Sequence, residues 1–278
     1  MDVKKFIRRY TKHLYWIERH DFITPKQYAR YRDISANTAG ARLNKFVGLG
    51  YLDKIRPARQ FGDGSMPTFY FITKKGAKQI SDMLDVPRED LCVRANTPTK
   101  QPSTRFLMHT MKTNDFFTQL IDSSMESKYP GICKWLNTRE CRVTIPSTGE
   151  DLLPDGYGEF DIINENICFW VEIDRGTETI SIASDKFIRY AEYCMSGRWR
   201  DEYYVDEYPR LLFRTNNASR ALSVKRDVEK KAQNLGYLDV IEKCQFLISW
   251  EEEDDGNDIL GESWLRTGYD DGLVSFIH

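Results

Sequence analysis

The beginning of the chain shows apolar patterns of helical period, followed by short extended runs. Residues 4–20 repeat apolar side chains every three or four positions, which predicts a helix with one buried face. Thr24 and Pro25 then provide a cap and a first turn for a second helix. A third helix is predicted between Ser35 and Gly50, because its apolar residues share one face. Two short helices across a tight turn predict a helix-turn-helix.

Two extended runs follow the third helix. Residues 51–56 and 68–72 have the composition of strands, and the turn-rich residues 59–67 lie between them. Another helix is predicted to begin near Thr73. This order, with the segment "GLGYLDK…FYFITKKGAKQI", resembles the winged helix-turn-helix family.

The resemblance implies which residues would contact DNA, since the second helix of a helix-turn-helix enters the major groove. The candidates on the third helix and the hairpin are Asn37, Thr38, Arg42, Lys45, Lys54, Arg56 and Arg59. Asn37 and Arg42 are types that hydrogen-bond adenine or guanine edges. Thr38, Lys45 and the hairpin cations are expected at the phosphate backbone. The alternatives are a solvated polar face or a protein-binding wing.

The charge of the chain is divided into two parts of opposite sign. The 278 residues include 40 Lys and Arg and 42 Asp and Glu, a formal net charge of −2. Residues 1–100 hold 20 basic and 10 acidic residues, so they carry +10 and the remainder carries −12. This division predicts two domains, the first with a polyanionic partner.

Composition excludes several classes of protein. The sequence has no long apolar stretch and no secretory signal pattern, so we expect a cytoplasmic protein with no membrane partner. The six cysteines are scattered and lie far from histidines at zinc-ligand spacing. The motifs of phosphate-loop hydrolases, serine hydrolases and zinc proteases are missing.

Domain limits follow from a polar, proline-bearing stretch, "RANTPTKQPST". We predict a winged helix-turn-helix domain over 1–93, a linker over 94–105 and a second domain over 106–278. In the second domain, the predicted helices span 106–125, 179–195 and 218–235, and the predicted strands span 139–145, 152–163, 167–174, 211–214 and 244–250. This order predicts an α+β or α/β fold in which helices pack on a mixed sheet.

Two acidic residues are expected to meet at one end of this sheet. Asp155 enters one predicted strand and Glu172 closes the next, and the short turn between these strands pairs them. Two carboxylates with a nearby lysine can hold Mg²⁺, which activates water and polarises a phosphodiester. The pattern Pro154-Asp155 and Glu172-Ile173-Asp174 resembles the PD-(D/E)XK nuclease superfamily.

This chain has Asp174 where that motif has lysine. Lys186 on the following helix is the candidate replacement. Asp174 is a catalytic acid, a third metal ligand, or part of a turn with an internal salt bridge to Arg175. The candidate catalytic residues are therefore Asp155, Glu172, Asp174 and Lys186, and the candidate Mg²⁺ ligands are Asp155 and Glu172.

A narrower resemblance covers most of the chain. The segments "FLMHTMKTNDFFTQLI", "KWLNTREC", "DLLPDGYGEF" and "FWVEIDRGTET…DKFIRYAEYC" resemble the replication-relaxation family. The positions that match the family are His109, Asn114, Glu140, Asp155, Glu172, Asp174, Lys186 and Tyr190. His109 and Asn114 have the alternative of satisfying core polar groups. Tyr190 is either a core residue or a nucleophile.

The resemblance implies a sequence-specific protein that binds double-stranded DNA and acts in replication, relaxation or mobilisation of a plasmid or other mobile element. Replication or relaxase proteins and a second copy of the chain are the expected further partners. Two alternatives remain open. The second domain is a Mg²⁺-dependent nickase, or it is degenerate and mediates dimerisation or partner binding in a transcriptional regulator.

Overall fold

The computed structural model describes residues 3–57, 66–93, 101–126, 131–162, 165–251, 259–270 and 272–277. The chain divides into two compact units, Met1–Thr118 and Gln119–His278. This division falls within one long helix, Thr104–Glu126. The predicted domain limits at 93 and 106 stay predictions.

The first unit contains the helices and the hairpin in the predicted order. Its elements are α1 (Val3–Arg19), α2 (Pro25–Arg32), α3 (Ala36–Gly48), β1 (Leu52–Ile55), β2 (Phe69–Ile72), α4 (Lys74–Leu84), a 3₁₀ turn (Arg88–Asp90) and the first part of α5 (Thr104–Glu126). Strands β1 and β2 pair antiparallel, with Leu52 opposite Ile72. Arg59 lies outside the described residues.

Local capping interactions explain where these helices begin. Thr24 and Gln27 form a reciprocal capping box at the start of α2, and Pro25 occupies its first turn. The Ser35 hydroxyl accepts the Thr38 amide hydrogen bond at the start of α3, and Thr73 caps α4 in the same way.

The first part of α5 packs on these elements through a buried polar contact. The Asn114 side chain donates to the backbone oxygens of His20, at 3.0 Å, and Phe22, at 2.8 Å. Its Oδ1 lies 3.0 Å from Nδ1 of His20. Asn114 therefore satisfies core polar groups, which is one of the two roles considered for it from the sequence.

The second unit is built on a mixed sheet of seven described strands. The strands of this sheet are β3 (Gly131–Asn137), β6 (Gly156–Ile162), β7 (Glu165–Ile173), β8 (Arg210–Thr215), β9 (Phe246–Trp250), β10 (Trp264–Arg266) and β11 (Leu273–Val274). Strands β4 (Val143–Thr144) and β5 (Asp151–Leu152) form a separate pair. The remaining helices of the unit are α6 (Ile180–Ser196), α7 (Trp199–Tyr203), α8 (Ala218–Leu235) and α9 (Leu238–Lys243). The sheet order is β11-β10-β9-β8-β7-β6-β3, and the β7–β8 and β8–β9 pairs are parallel.

The nine α-helices and the mixed sheet of the described residues make the protein α+β, as the sequence predicts. Helices α6 and α8 pack on a core that includes the aromatic side chains of Trp170, Tyr190 and Phe213. The described helices include none long and apolar enough to cross a membrane.

Two strand predictions are wrong in part. Residues 139–145 contribute only β4, which pairs with β5 in a separate hairpin, whereas the strand of the main sheet is β3. The Asn137 side chain accepts the backbone N–H groups of Arg139 and Glu140, so this segment turns at that point. The predicted strand 152–163 is likewise interrupted between Leu152 and Gly156.

Candidate functional site

The candidate DNA-contacting residues of α3 form a polar surface beside its buried stripe. Ala39, Leu43 and Phe46 are buried, while Asn37, Thr38 and Lys45 are exposed. This arrangement follows from the helical period, because positions three or four residues apart share a face. Their assignment to DNA stays a prediction.

Arg42 differs from its neighbours on this surface because it is half-buried. Its guanidinium carbon lies 5.1 Å from the centre of the Tyr10 ring, within the range of a cation–π contact. It also interacts with the Tyr28 hydroxyl group. Helices α1 and α2 therefore both hold the side chain of Arg42.

The hairpin contributes exposed cations to the same unit. Lys54 and Arg56 are both exposed, and the Lys54 ammonium donates to Oδ1 of Asn44 at 2.9 Å. The Tyr70 hydroxyl also approaches this oxygen, at 3.3 Å. Asn44 was not identified from the sequence, although its position seven residues after Asn37 places it on the same exposed face.

In the second unit, strand pairing brings Asp155 to the end of β7. Strands β6 and β7 pair antiparallel, with Gly156 opposite Val171. The Asp155 amide donates to the Val171 oxygen at 3.0 Å, and its Oδ2 accepts the Ile173 amide at 2.7 Å. These two hydrogen bonds therefore fix Asp155 beside the part of β7 that carries Glu172.

Glu172 is buried among donors supplied by α6. The Tyr190 hydroxyl donates to one carboxylate oxygen at 2.7 Å, and the Lys186 ammonium donates to the other at 3.1 Å. Burial raises the pKa of Glu172 to about 7, and the charge of Asp155 acts in the same direction, while Lys186 opposes it.

Lys186 joins Glu172 to a further acid, because its ammonium lies 3.3 Å from a Glu178 carboxylate oxygen. Burial alone would lower the pKa of Lys186. The negative charges of Glu172, Asp155 and Glu178 outweigh burial and hold that pKa above its ordinary value. Lys186 therefore stays charged among three acids. Glu178 was not identified as a site residue, although it lies in the "EIDRGTE" block.

Asp174 has a different set of partners from Glu172. Its oxygens accept from the Arg220 guanidinium, from the Thr215 hydroxyl at 3.0 Å and from the Gly176 amide at 2.9 Å. Arg220 also donates to the Glu178 backbone oxygen at 2.8 Å. Asp174 thus anchors the loop between β7 and α6, and its catalytic role stays a prediction.

Tyr190 is fully buried, and burial raises its pKa well above the ordinary value. A tyrosine nucleophile must be exposed to its substrate and must lose a proton. The buried hydroxyl instead donates to Glu172, so the core role is the one that fits. Glu140 accepts the Asn137 backbone N–H at 3.0 Å and belongs to the turn before β4.

The donor chemistry of Asp155 and Glu172 fits Mg²⁺, which is commonly held by one or two carboxylates and several waters. A metal site in which protein side chains supply all of the ligands does not fit the residues present. Within the parts of the chain that the structure describes, no group of three or more His, Cys, Asp and Glu residues could hold a metal ion.

These elements define an α+β protein with an acidic, lysine-containing end of a mixed sheet. The chain belongs to the replication-relaxation family, which matches residues 14–206 and confirms the resemblance seen in the sequence. Membership supports a role in replication or relaxation of a plasmid or another mobile element. Neither the curated proteins nor the solved structures include a significant match to the chain.

Proposed function

We propose that this protein is a cytoplasmic, sequence-specific protein that binds double-stranded DNA, with α3 in the major groove and the β1–β2 hairpin at the phosphate backbone. It would act at a site on a plasmid or other mobile element during replication or relaxation. Replication or relaxase proteins and a second copy of the chain are its proposed partners.

The observation that carries this proposal is the exposed polar face of α3 with cations beside it. Asn37 and Thr38 lie in the first turn of a capped helix, where a reading helix contacts base edges. Lys54 and Arg56 are exposed on and beside β1 and would neutralise phosphates. The excess of basic residues in positions 1–100 favours the same partner.

Selection from a randomised pool of duplex DNA, followed by titration of the selected duplex by fluorescence anisotropy, tests the proposal. We expect one consensus, bound at least about 1,000-fold more tightly than an unrelated duplex. Binding with no consensus would contradict the sequence-specific function. Absence of any binding at low salt would contradict DNA binding altogether.

A second candidate function is metal-dependent nicking, favoured by the contact of Lys186 with Glu172 beside Asp155. Asp155 and Glu172 would hold Mg²⁺, and the Lys186 ammonium would stabilise charge that develops on the phosphate. Mg²⁺, when bound, would polarise the phosphodiester and lower the pKa of a water molecule.

Incubation of the full chain with supercoiled plasmid and Mg²⁺ or Mn²⁺ separates the two roles of the second unit. Conversion to nicked circles that EDTA prevents would support the nickase. Intact DNA binding with no nicking would favour the degenerate domain that contacts partner proteins.

A further inference from the structure

Arg42 shares a stripe of α3 with Thr38 and Lys45, which lie four residues before and three residues after it. Those two side chains are exposed, whereas Arg42 is half-buried. Helical geometry does not produce this difference. The Arg42 guanidinium carbon lies 5.1 Å from the centre of the Tyr10 ring, and Arg42 also acts on the Tyr28 hydroxyl group, whose pKa it lowers.

His13 is the hydrogen-bond partner of Tyr28 within this cluster. Nδ1 of His13 lies 2.7 Å from the Tyr28 hydroxyl oxygen. Burial and the charges of Arg32, Arg42 and Arg9 together lower the pKa of His13 to about 4, so the ring is neutral at pH 7. The Tyr28 hydroxyl can then donate to Nδ1, which leaves its oxygen lone pairs for the Arg42 guanidinium.

Tyr28 itself is suited to this role because it is fully buried on α2. Burial raises the pKa of Tyr28 to about 12, so the hydroxyl keeps its proton. The edge of the Tyr10 ring packs against His13, with ring centres 4.8 Å apart. The Arg42 side chain of α3 therefore lies beside a cluster formed by Tyr10 and His13 of α1 and Tyr28 of α2.

A guanidinium group has five N–H donors in a fixed planar fork. An interaction with one phenol oxygen and one ring face leaves most of these donors for a ligand. Ordering a free arginine at an interface costs conformational entropy, and a side chain already held in position avoids part of that cost. Guanine presents O6 and N7 to such a fork in the major groove.

We propose that Tyr28 and Tyr10 are positioning residues that hold the Arg42 guanidinium for a bidentate contact with guanine. The proposal rests on the proposed DNA-binding function. It assigns to α1 and α2 a part in sequence choice, in addition to their part in the core. Neither tyrosine contacts DNA in this arrangement.

The test compares Tyr28→Phe with the wild-type full chain on the consensus duplex selected from a randomised pool. The probes are this duplex and the versions with each guanine replaced in turn. We expect Tyr28→Phe to reduce the preference for one guanine by about 5- to 100-fold, the range of one bidentate contact. Affinity for an unrelated duplex and the salt dependence should stay unchanged, because the charge of Arg42 remains.

A double mutant separates positioning from a general structural effect. Arg42→Lys should relax the same base position, and Tyr28→Phe added to Arg42→Lys should relax it no further. Tyr31→Phe, on the same helix, is the matched control and should keep the preference. Tyr10→Leu at a half-buried position provides a second variant should Tyr28→Phe fail to fold, with the same expected loss at that base.

Specificity that is unchanged in Tyr28→Phe and Tyr10→Leu, with Arg42→Lys impaired, would overturn the proposal. An equal loss of affinity for all duplexes would overturn it too, since that result marks a structural role alone. A wild-type chain that binds no duplex would instead overturn the proposed function on which this inference rests.

Discussion

The Lys186 ammonium lies 3.1 Å from a carboxylate oxygen of Glu172, and only 6% of the Glu172 side chain is exposed. Burial removes water from both charged groups, which costs free energy, and the attraction between the two charges must offset that cost. Tyr190 supplies the other carboxylate oxygen with a hydrogen bond, so both oxygens of Glu172 have donors. The pair therefore has a structural effect that can be measured apart from any catalysis.

We expect Lys186→Met to lower the free energy of unfolding at pH 7 by about 1–3 kcal/mol, because Glu172, whose pKa is already about 7, loses the hydrogen bond from the Lys186 ammonium and takes up a proton in the folded chain. The double variant Lys186→Met/Glu172→Gln should recover most of this loss. Urea unfolding monitored by tryptophan fluorescence measures both. Lys231→Met is the control, because its partners Asp185 and Asp227 are far more exposed than Glu172, and it should cost about 1 kcal/mol or less. A double variant no more stable than Lys186→Met would contradict the pairing.

For the candidate nickase, Asp155→Ala and Glu172→Ala should each reduce Mg²⁺-dependent nicking of supercoiled plasmid by about 100-fold or more, by loss of a metal ligand. Asp185→Asn is the matched control, since Asp185 adjoins Lys186 but pairs with Lys231 at the surface. Duplex affinity should be the same for all three variants. Nicking that persists in Asp155→Ala and Glu172→Ala would assign the cut to another site or to a contaminant.

Substitution of two helical glycines, Gly76 and Gly40, by alanine should change the free energy of unfolding in opposite directions. A Cβ atom at Gly76 would lie 2.3 Å from the Tyr51 backbone oxygen, so Gly76→Ala forces α4 away from the start of the hairpin. We expect it to lower the free energy of unfolding by roughly 1–3 kcal/mol, as overpacking does. A Cβ atom at Gly40 in α3 would meet no described atom of a neighbouring element within 4 Å, and Gly40→Ala should stabilise by about 0.5–1 kcal/mol. Thermal unfolding compares the two variants. Equal effects would contradict the close approach of Gly76 to the Tyr51 backbone oxygen.

The sequence predicts the first unit well because its signals are local. The cap predicted at Thr24 is present in the structure, and Ser35 and Thr73, where the next helices were predicted to begin, cap α3 and α4 within three residues. Strand β3 lacked such a signal. It lies at the end of the sheet, and its alternation of apolar and polar residues is weak because it is only partly buried.

The candidate acidic site was predictable in part for the same reason. The pairing of β6 with β7 follows from a short turn, which places Asp155 beside Glu172. The partners of Asp174 could not be predicted, because Arg220 comes from α8, 46 residues further along the chain. Which acid faces Lys186 and which faces Arg220 depends on how α6 and α8 pack on the sheet.

Buried histidine makes the stability of the chain depend on pH. Burial lowers the pKa of His20 from 6.5 to about 3, against the opposing effect of the hydrogen bond that the ring donates to Oδ1 of Asn114. Between these two pH values the unfolded chain binds a proton at His20 that the folded chain does not bind. The contribution of His20 to the free energy of unfolding is therefore fully present above pH 6.5 and is lost as the pH falls. His20 should contribute a slope of about 1.4 kcal/mol per pH unit.

Urea unfolding at pH 7, 6 and 5 measures this slope for the wild type and for His20→Gln. The variant should lose the share due to His20 and keep the share due to His13, whose pKa is lowered to about 4. The quantity compared is the slope of the free energy of unfolding against pH. Loss of the Asn114 contact in His20→Gln changes the free energy at every pH alike and so leaves this slope unaffected. An identical slope in His20→Gln would mean that His20 is protonated in the folded chain.

The proposed phosphate contacts predict a change in salt dependence. Lys54→Ala should reduce the slope of log affinity against log salt concentration by about one, and should weaken binding to all duplexes alike. Asn37→Ala should instead reduce the preference for the consensus and leave the slope unchanged, because a base contact releases no counterion. Lys230→Ala removes one exposed charge from α8 and is the matched control for Lys54→Ala. Anisotropy titrations between 50 and 200 mM salt, roughly the range over which such contacts are resolved, supply the slopes. Equal slopes for Lys54→Ala and Lys230→Ala would remove the hairpin from the proposed DNA interface.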